Sequence, residues 1–325
     1  MTGRLIAFAT VAALLAGSPP AARAQSTATQ TVDTMNKLWG KHPGARANHA
    51  KGIVVEGTFT PTKAAPTLSK ADIFAGKPVP VTVRFSDSTG LPEIPDASPG
   101  ANPHGMSIKF HPLGGELDVV TNSLGFFPVA TGEDFLALLQ ALAASGPDAP
   151  KPTPAEQFFA AHPRAPAAFG TVATPSSFAH ETYNGVDAFV FENAAGKKQA
   201  FRFKIVPVSG TVHLSAEAAA KLPPDFLVDE LPKHLAKSKV SFHLFAQLAG
   251  PDDQTKDPTE PWPASRKLVD MGVITLTKAV PDNEAAQKAL RYLPNRLMPG
   301  IEVSDDPLID ARVRAYVISF GRRAR

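Results

Sequence analysis

The chain has 325 residues, no cysteine, and 33 lysines and arginines against 30 aspartates and glutamates, for a formal net charge of +3. The absence of thiols excludes disulfides, thiolate metal sites and thiol redox chemistry. Charge is nearly balanced, with no dense basic block outside the terminal "RRAR", so nucleic acid has no footprint here, and a hydrophobic content of 43% suits a real core.

At the N-terminus, "MTGR" carries positive charge and "LIAFATVAALLAG" is an apolar run shorter than the ~20 residues a membrane span needs. "ARA" at 22–24 is the small-x-small pattern that precedes a cleavage point. Together they predict a secretory signal peptide over 1–24, cut after Ala24, and an exported chain with no stable membrane anchor. Residues 25–325 then form a single domain, since no linker or internal repeat divides them. The polar stretch from residue 25 to about residue 41 predicts a helix around "TVDTMNKLW".

Eight later stretches alternate apolar and polar residues: "KGIVVEGTFT", "VPVTVRFS", "GMSIKF", "ELDVVT", "VDAFVFEN", "QAFRFKIVPV", "KVSFHLFAQL" and "MGVITLT". About eight strands separated by Gly, Pro, Asn and Asp suit a closed antiparallel β-barrel with flanking α-helices, an α+β fold. Its interior is either filled or holds one ligand. Helical pattern interrupts the strands at "GEDFLALLQALAAS" (132–145) and "TPAEQFFAAH" (153–162), where Thr153 is the N-cap and Pro154 opens the helix. The last helix is capped by Asp305 or Asp306, opened by Pro307 and closed near Arg322 and Arg323.

That helix contains "DARVRAYVIS" (310–319), with Arg312 and Tyr316 four residues apart on one face. A nearby cation favours phenolate over phenol, and phenolate is a hard anionic ligand suited to ferric iron. The same spacing also suits a surface Arg–Tyr pair. "RANHAKG" (46–52) brings Arg46 and His49 to the edge of the first strand, and "VRFSDSTG" brings Arg84 and Ser86. "LDVVTNSLGFFPVATGEDF" brings Asn122, Phe126, Phe127 and Phe135. No HExxH, GxSxG, P-loop or GxGxxG occurs, and His104 and His111 are spaced so that no strand converges them on one metal.

Taken in order, "RANHAKG", "VRFS", "NPHGMSIKF", "LDVVTNSLGFFPV", "DPTEPWPASRKLVDMGVITLT" and "GIEVSDDPLIDARVRAY" resemble the haem catalase superfamily, and most of all its small branch, the catalase-related peroxidases. The resemblance runs from about Arg46 to the C-terminus. It implies haem b between the barrel and the C-terminal helix, with Tyr316 as the axial iron ligand and Arg312 keeping it anionic. His49 is then the distal acid–base residue, Asn122 its partner, and Ser86 the hydroxyl that orients the ring. Arg46, Arg84 and Arg323 (or its neighbour Arg322) pair with the propionates, and Phe126, Phe127 and Phe135 pack near the macrocycle. The implied activity is a periplasmic peroxidase, a monomer or small homo-oligomer, that reduces hydrogen peroxide or organic hydroperoxides with small organic donors. A true catalase is the alternative within the class; a haem- or lipid-binding barrel without turnover is the alternative outside it. The chain departs from full-size catalases at Asn48, where a small apolar residue is typical, and at His104, where arginine is usual. It also stops just after the ligand helix. These departures favour organic donors over dismutation and imply no strong NADPH site.

Overall fold

The computed structural model describes residues 20–323. Helix α1 (Pro20–Trp39) leads to strand β1 (Gly52–Pro61), the short α2 (Ala65–Leu68), β2 (Val79–Ser86), β3 (Gly105–Phe110) and β4 (Leu117–Asn122). Helices α3 (Gly132–Ala143), α4 (Pro154–Ala161) and α5 (Arg164–Phe169) precede β5 (Tyr183–Asn184), β6 (Phe189–Glu192) and β7 (Lys198–Pro207). Then come α6 (Ala216–Ala219), α7 (Phe226–Leu235), β8 (Val240–Leu248), β9 (Leu268–Ala279), α8 (Asn283–Ala289), β10 (Ile301–Val303) and α9 (Pro307–Arg323). No helix among the described residues is long and apolar enough to cross a membrane.

The expected α+β fold and closed antiparallel barrel are both present. The ring runs β1-β2-β3-β4-β5-β7-β8-β9 and closes where β9 pairs with β1. One of its members differs from the sequence reading. "VDAFVFEN" forms β6, which pairs with β7 and β10 outside the ring. The place between β4 and β7 is taken by β5, two residues joined through Asn122↔Asn184 and Tyr183↔Ile205. A strand that short carries no alternation to read. Helix α1 extends back to Pro20 and so takes in the last residues of the expected signal peptide; 1–19 lie outside the described residues.

The caps follow from local chemistry. Thr153 and Glu156 form a reciprocal capping box at α4. At α9 the cap is Asp306, whose Oδ1 accepts from the Leu308 N–H at 2.8 Å.

The barrel interior is filled. Val81, Val83 and Phe85 on β2, Ile108 and Phe110 on β3, and Phe201, Ile205, Phe242 and Ile274 from the far wall are all buried in one cluster. Fully burying one such side chain contributes roughly 1.5–3 kcal/mol. Alternation sends the intervening residues outward. Register then lines them into rows: Ser86 beside Gly105 beside Asn122, and Arg84 beside Ser107 beside Val120. Helices α1, α3 and α9 pack against one another over this outer face. Gly132 makes the α3–α9 approach possible, because a Cβ there would lie 2.7 Å from that of Ala311.

Candidate active site

A cavity of about 550 Å³ lies between the outer face of β2–β4 and the three helices. His49, Ser86 and Asn122 are on its wall, as are Arg312 and Tyr316, although these groups lie far apart in sequence.

His49 sits just before β1 with φ of +56°, a left-handed conformation rare for a residue with a side chain. Its surroundings hold it there. The Asn48 Oδ1 accepts from the His49 N–H at 2.9 Å, and Arg84 donates to the His49 carbonyl at 2.8 Å. The ring Nδ1 lies 3.2 Å from Ser86 Oγ, and the Asp87 backbone faces the ring and favours its charged form. Gly105, opposite Ser86 in the ladder, leaves the necessary room: a Cβ would come within 2.7 Å of Ser86 Oγ and 3.3 Å of the His49 Nδ1. Burial pushes the imidazole down to about 3, and the Arg84 charge adds to this. At neutral pH the ring is therefore uncharged and able to take a proton. Asn122 Oδ1 accepts from the Leu124 N–H at 2.9 Å, which leaves its NH₂ as the donor it offers to the cavity.

Arg46, Arg84 and Arg323 also line the cavity, and they repel one another. Among the described residues none of the three forms an ion pair. Arg46 and Arg323 donate to the Leu290 carbonyl, and Arg84 to Gln287 Oε1 at 2.6 and 2.8 Å. Burial above all pushes Arg84 and Arg323 down to about 10. Three guanidiniums without a carboxylate partner, Arg84 and Arg323 buried and Arg46 half-buried, are suited to an anion. The two C-terminal arginines are placed differently: Arg322 pairs with Asp33 of α1 at 2.6 Å, and Arg323 faces the cavity.

On α9, Arg312 Nε donates to the Tyr316 hydroxyl at 3.2 Å, and its Nη1 is paired with Asp187. Burial alone would weaken the guanidinium charge; Asp187, Tyr316 and Asp306 together outweigh it and hold Arg312 ionised. Beside them, Asp306 is pushed up to about 7 by burial and then by Asp187. Asp187 was not singled out from the sequence. Its only signal was a lone acid at the start of an otherwise apolar alternating stretch. Gln287, which holds Arg84, and the α1 face of Val32, Met35 and Trp39 gave no chemical signal either.

Phe127 and Phe135 line the cavity with their ring centroids 5.7 Å apart. Phe126 differs from expectation. It is not on the cavity wall, and it packs, as Phe127 also does, against a small separate cluster of Leu124, Ala168 and Val186.

The family model described as Catalase matches residues 24–323. A catalase-related peroxidase of Mycolicibacterium paratuberculosis is 35% identical over 298 residues, covering 90% of this chain and 93% of that protein. One of Synechococcus elongatus is 32% identical, covering 92% and 89%. Catalase-2 of Arabidopsis thaliana is 28% identical, and the match spans only 58% of its length. Among solved structures, a bacterial catalase aligns with a TM-score of 0.77 at 22% identity, over 87% of this chain and 58% of that one. By fold and by sequence over nearly its whole length, the chain belongs to the catalase family.

Proposed function

We propose that the protein is an exported haem peroxidase that reduces hydrogen peroxide and oxidises small organic donors. The observation that carries this reading is one cavity walled by a neutral, oriented histidine and by a tyrosine held against an arginine. The donor set fits haem b. The three unpaired arginines suit two propionates, Tyr316 supplies an anionic oxygen for ferric iron, and Phe127 and Phe135 supply apolar surface. Among the described residues no cluster of three histidines or acids could hold a metal alone, so iron would come with its macrocycle.

When bound, haem supplies the iron to which peroxide binds and the electrons that cleave its O–O bond. The chain moves the protons. His49 takes one from the near peroxide oxygen and returns it to the far one, which leaves as water. Ser86 and the Asp87 backbone keep the ring oriented for both transfers. Asn122 offers an N–H to the peroxide. Arg312 donates a hydrogen bond to the Tyr316 oxygen and so orients it, and Asp187 pairs with the guanidinium and holds it in place. A small organic reductant replaces the electrons that peroxide consumed. The leader over 1–24 supports export to the periplasm.

The test is the absorption spectrum of the purified ferric protein, followed by one addition of hydrogen peroxide and then a phenolic donor. A tyrosinate-type haem spectrum, a peroxide-induced change and faster recovery with donor are expected. Tyr316→Ala should alter the ligation spectrum or lose haem. Rapid oxygen evolution without donor would indicate a true catalase instead. A protein that binds haem but ignores peroxide would be a carrier, for which an oriented His49 has no use.

A further inference from the structure

Behind the His49 wall lies a second buried polar cluster that the reaction above does not use. Ser86 and Gly105 are the last paired residues of the β2–β3 ladder. One residue further along each chain are Asp87 and His104, and their side chains continue the ladder. The His104 Nδ1 lies 3.0 Å from Asp87 Oδ1, and both side chains are fully buried. The backbone is tied on both sides: Asp87 N–H donates to the Lys51 carbonyl at 3.2 Å, and His104 N–H to Ser123 Oγ at 3.1 Å.

Lys51 anchors the cluster. Its ammonium pairs with Asp96, lies 2.7 Å from Asp225 and 3.9 Å from Asp87 Oδ2, and donates to the Ile94 carbonyl at 2.7 Å. Two atoms of the pair remain without a hydrogen-bond partner inside the protein, Asp87 Oδ2 and His104 Nε2. The His104 ring meets only the edge of Phe178, with centroids 5.8 Å apart. Leaving buried polar atoms unpaired is costly, and an apolar pair would have filled the same space without that cost. The Asp87 main chain faces the His49 ring, and His104 reaches the distal site through its chain neighbour Gly105. Gly105 follows His104 directly and is the residue whose missing Cβ admits Ser86 and the His49 ring.

We propose that Asp87 and His104 are positioning residues for His49: their bond locks the open end of the β2–β3 ladder, and so fixes Ser86 and the Asp87 backbone against the imidazole in one orientation and one tautomer. This rests on reading His49 as the distal acid–base group. The charged and titratable groups that face the pair are Lys51, Asp96 and Asp225 on one side, Arg84 and His49 on another, and Glu181 with His213 on the third. A neutral His104 donating to an ionised Asp87 is the arrangement these neighbours favour, since burial pushes His104 down to about 4 and Asp87 only up to about 6.

The experiment is ¹⁵N-histidine NMR of the haem-free and haem-loaded full chain, with the His49 signals assigned by loss in His49→Gln. In the wild type the ring nitrogens should report a single tautomer. In His104→Phe they should move toward the average of two tautomers, and the peroxide reaction should slow by about 10–100-fold, the scale of a misplaced catalytic group, with haem content unchanged. His104→Asn keeps an N–H for Asp87 Oδ1 and should restore both readouts. A single tautomer in His104→Phe, or an Asn variant no better than Phe, would overturn the proposal. If His104→Phe does not fold, Asp87→Asn tests the other partner: its weaker acceptor should move the same nitrogens in the same direction, and no movement overturns the proposal. The haem-free spectra decide this question even if the wild type proves inert toward peroxide, in which case it is the peroxidase reading that fails.

Discussion

At His49 two requirements meet, a free lone pair and a fixed direction. Burial meets the first, and Ser86 with Asp87 meets the second. His49→Ala should keep haem and lose about 10²–10⁴-fold in the rate of peroxide reaction, the usual contribution of a positioned acid–base group. Stopped-flow mixing with peroxide checks this, and a near-normal rate would remove His49 from the mechanism. The pH dependence follows from the same burial. A free histidine ionises near 6.5, but this one stays neutral down to about 3. The peroxide rate should therefore not fall as pH drops through 6.5. Stability runs the other way: between these two values the unfolded chain binds a proton at this position and the folded chain does not, so acidification from about 6.5 toward 3 favours unfolding. Haem-free His49→Gln lacks that linkage, and its acid midpoint, read by circular dichroism, should lie below the wild-type value. Residues of this kind were partly legible. Arg312 and Tyr316 could be paired because a helix places i and i+4 on one face. Asp187, which completes that pair, could not, because 125 residues separate it from Arg312 and only the closed barrel brings them together.

Strands β2, β3 and β4 do more than enclose a core. Their inward residues fill the barrel, and their outward residues in the Ser86–Gly105–Asn122 row place the distal groups side by side. Alternation made these strands readable, since each has an apolar residue at every second position. Register was not readable, because it depends on which strands pair. β5 was hidden altogether by its two-residue length. The row itself gives a sharp prediction. Gly105 has no left-handed requirement; its only constraint is space, with Ser86 Oγ 2.7 Å from the position a Cβ would take. Gly105→Ala should therefore fold and bind haem. Ser86 and His49 must shift by a fraction of an ångström, and the peroxide rate should drop by about tenfold, on the scale known for small misplacements. A crystal structure of the variant with an unmoved His49 ring, or an unchanged rate, would show that the glycine serves the backbone alone.

For the molecule as a whole, side chains fill the barrel and the cavity lies outside it. A sequence pattern defines two faces of each strand but does not say which face the helices will cover. Here α1, α3 and α9 close over the polar one and bring Arg46, Arg84 and Arg323 together from three distant segments. These guanidiniums face carbonyl and amide oxygens, one another and, for Arg323, the Phe320 ring. Each close repulsion is on the order of 1 kcal/mol or more in such a partly buried setting. The arrangement is thus poorly stabilised alone and well stabilised once a dianionic ligand enters, so ligand binding and folding reinforce each other. Arg46→Leu separates the two states. In the haem-free protein it removes a buried, repelled charge, and the thermal midpoint should rise. In the haem-loaded protein it removes a partner of the anion, and the midpoint should fall. Calorimetry with and without haem measures both signs. A change in the same direction in both states would mean that the three arginines hold the fold together and do not wait for an anion.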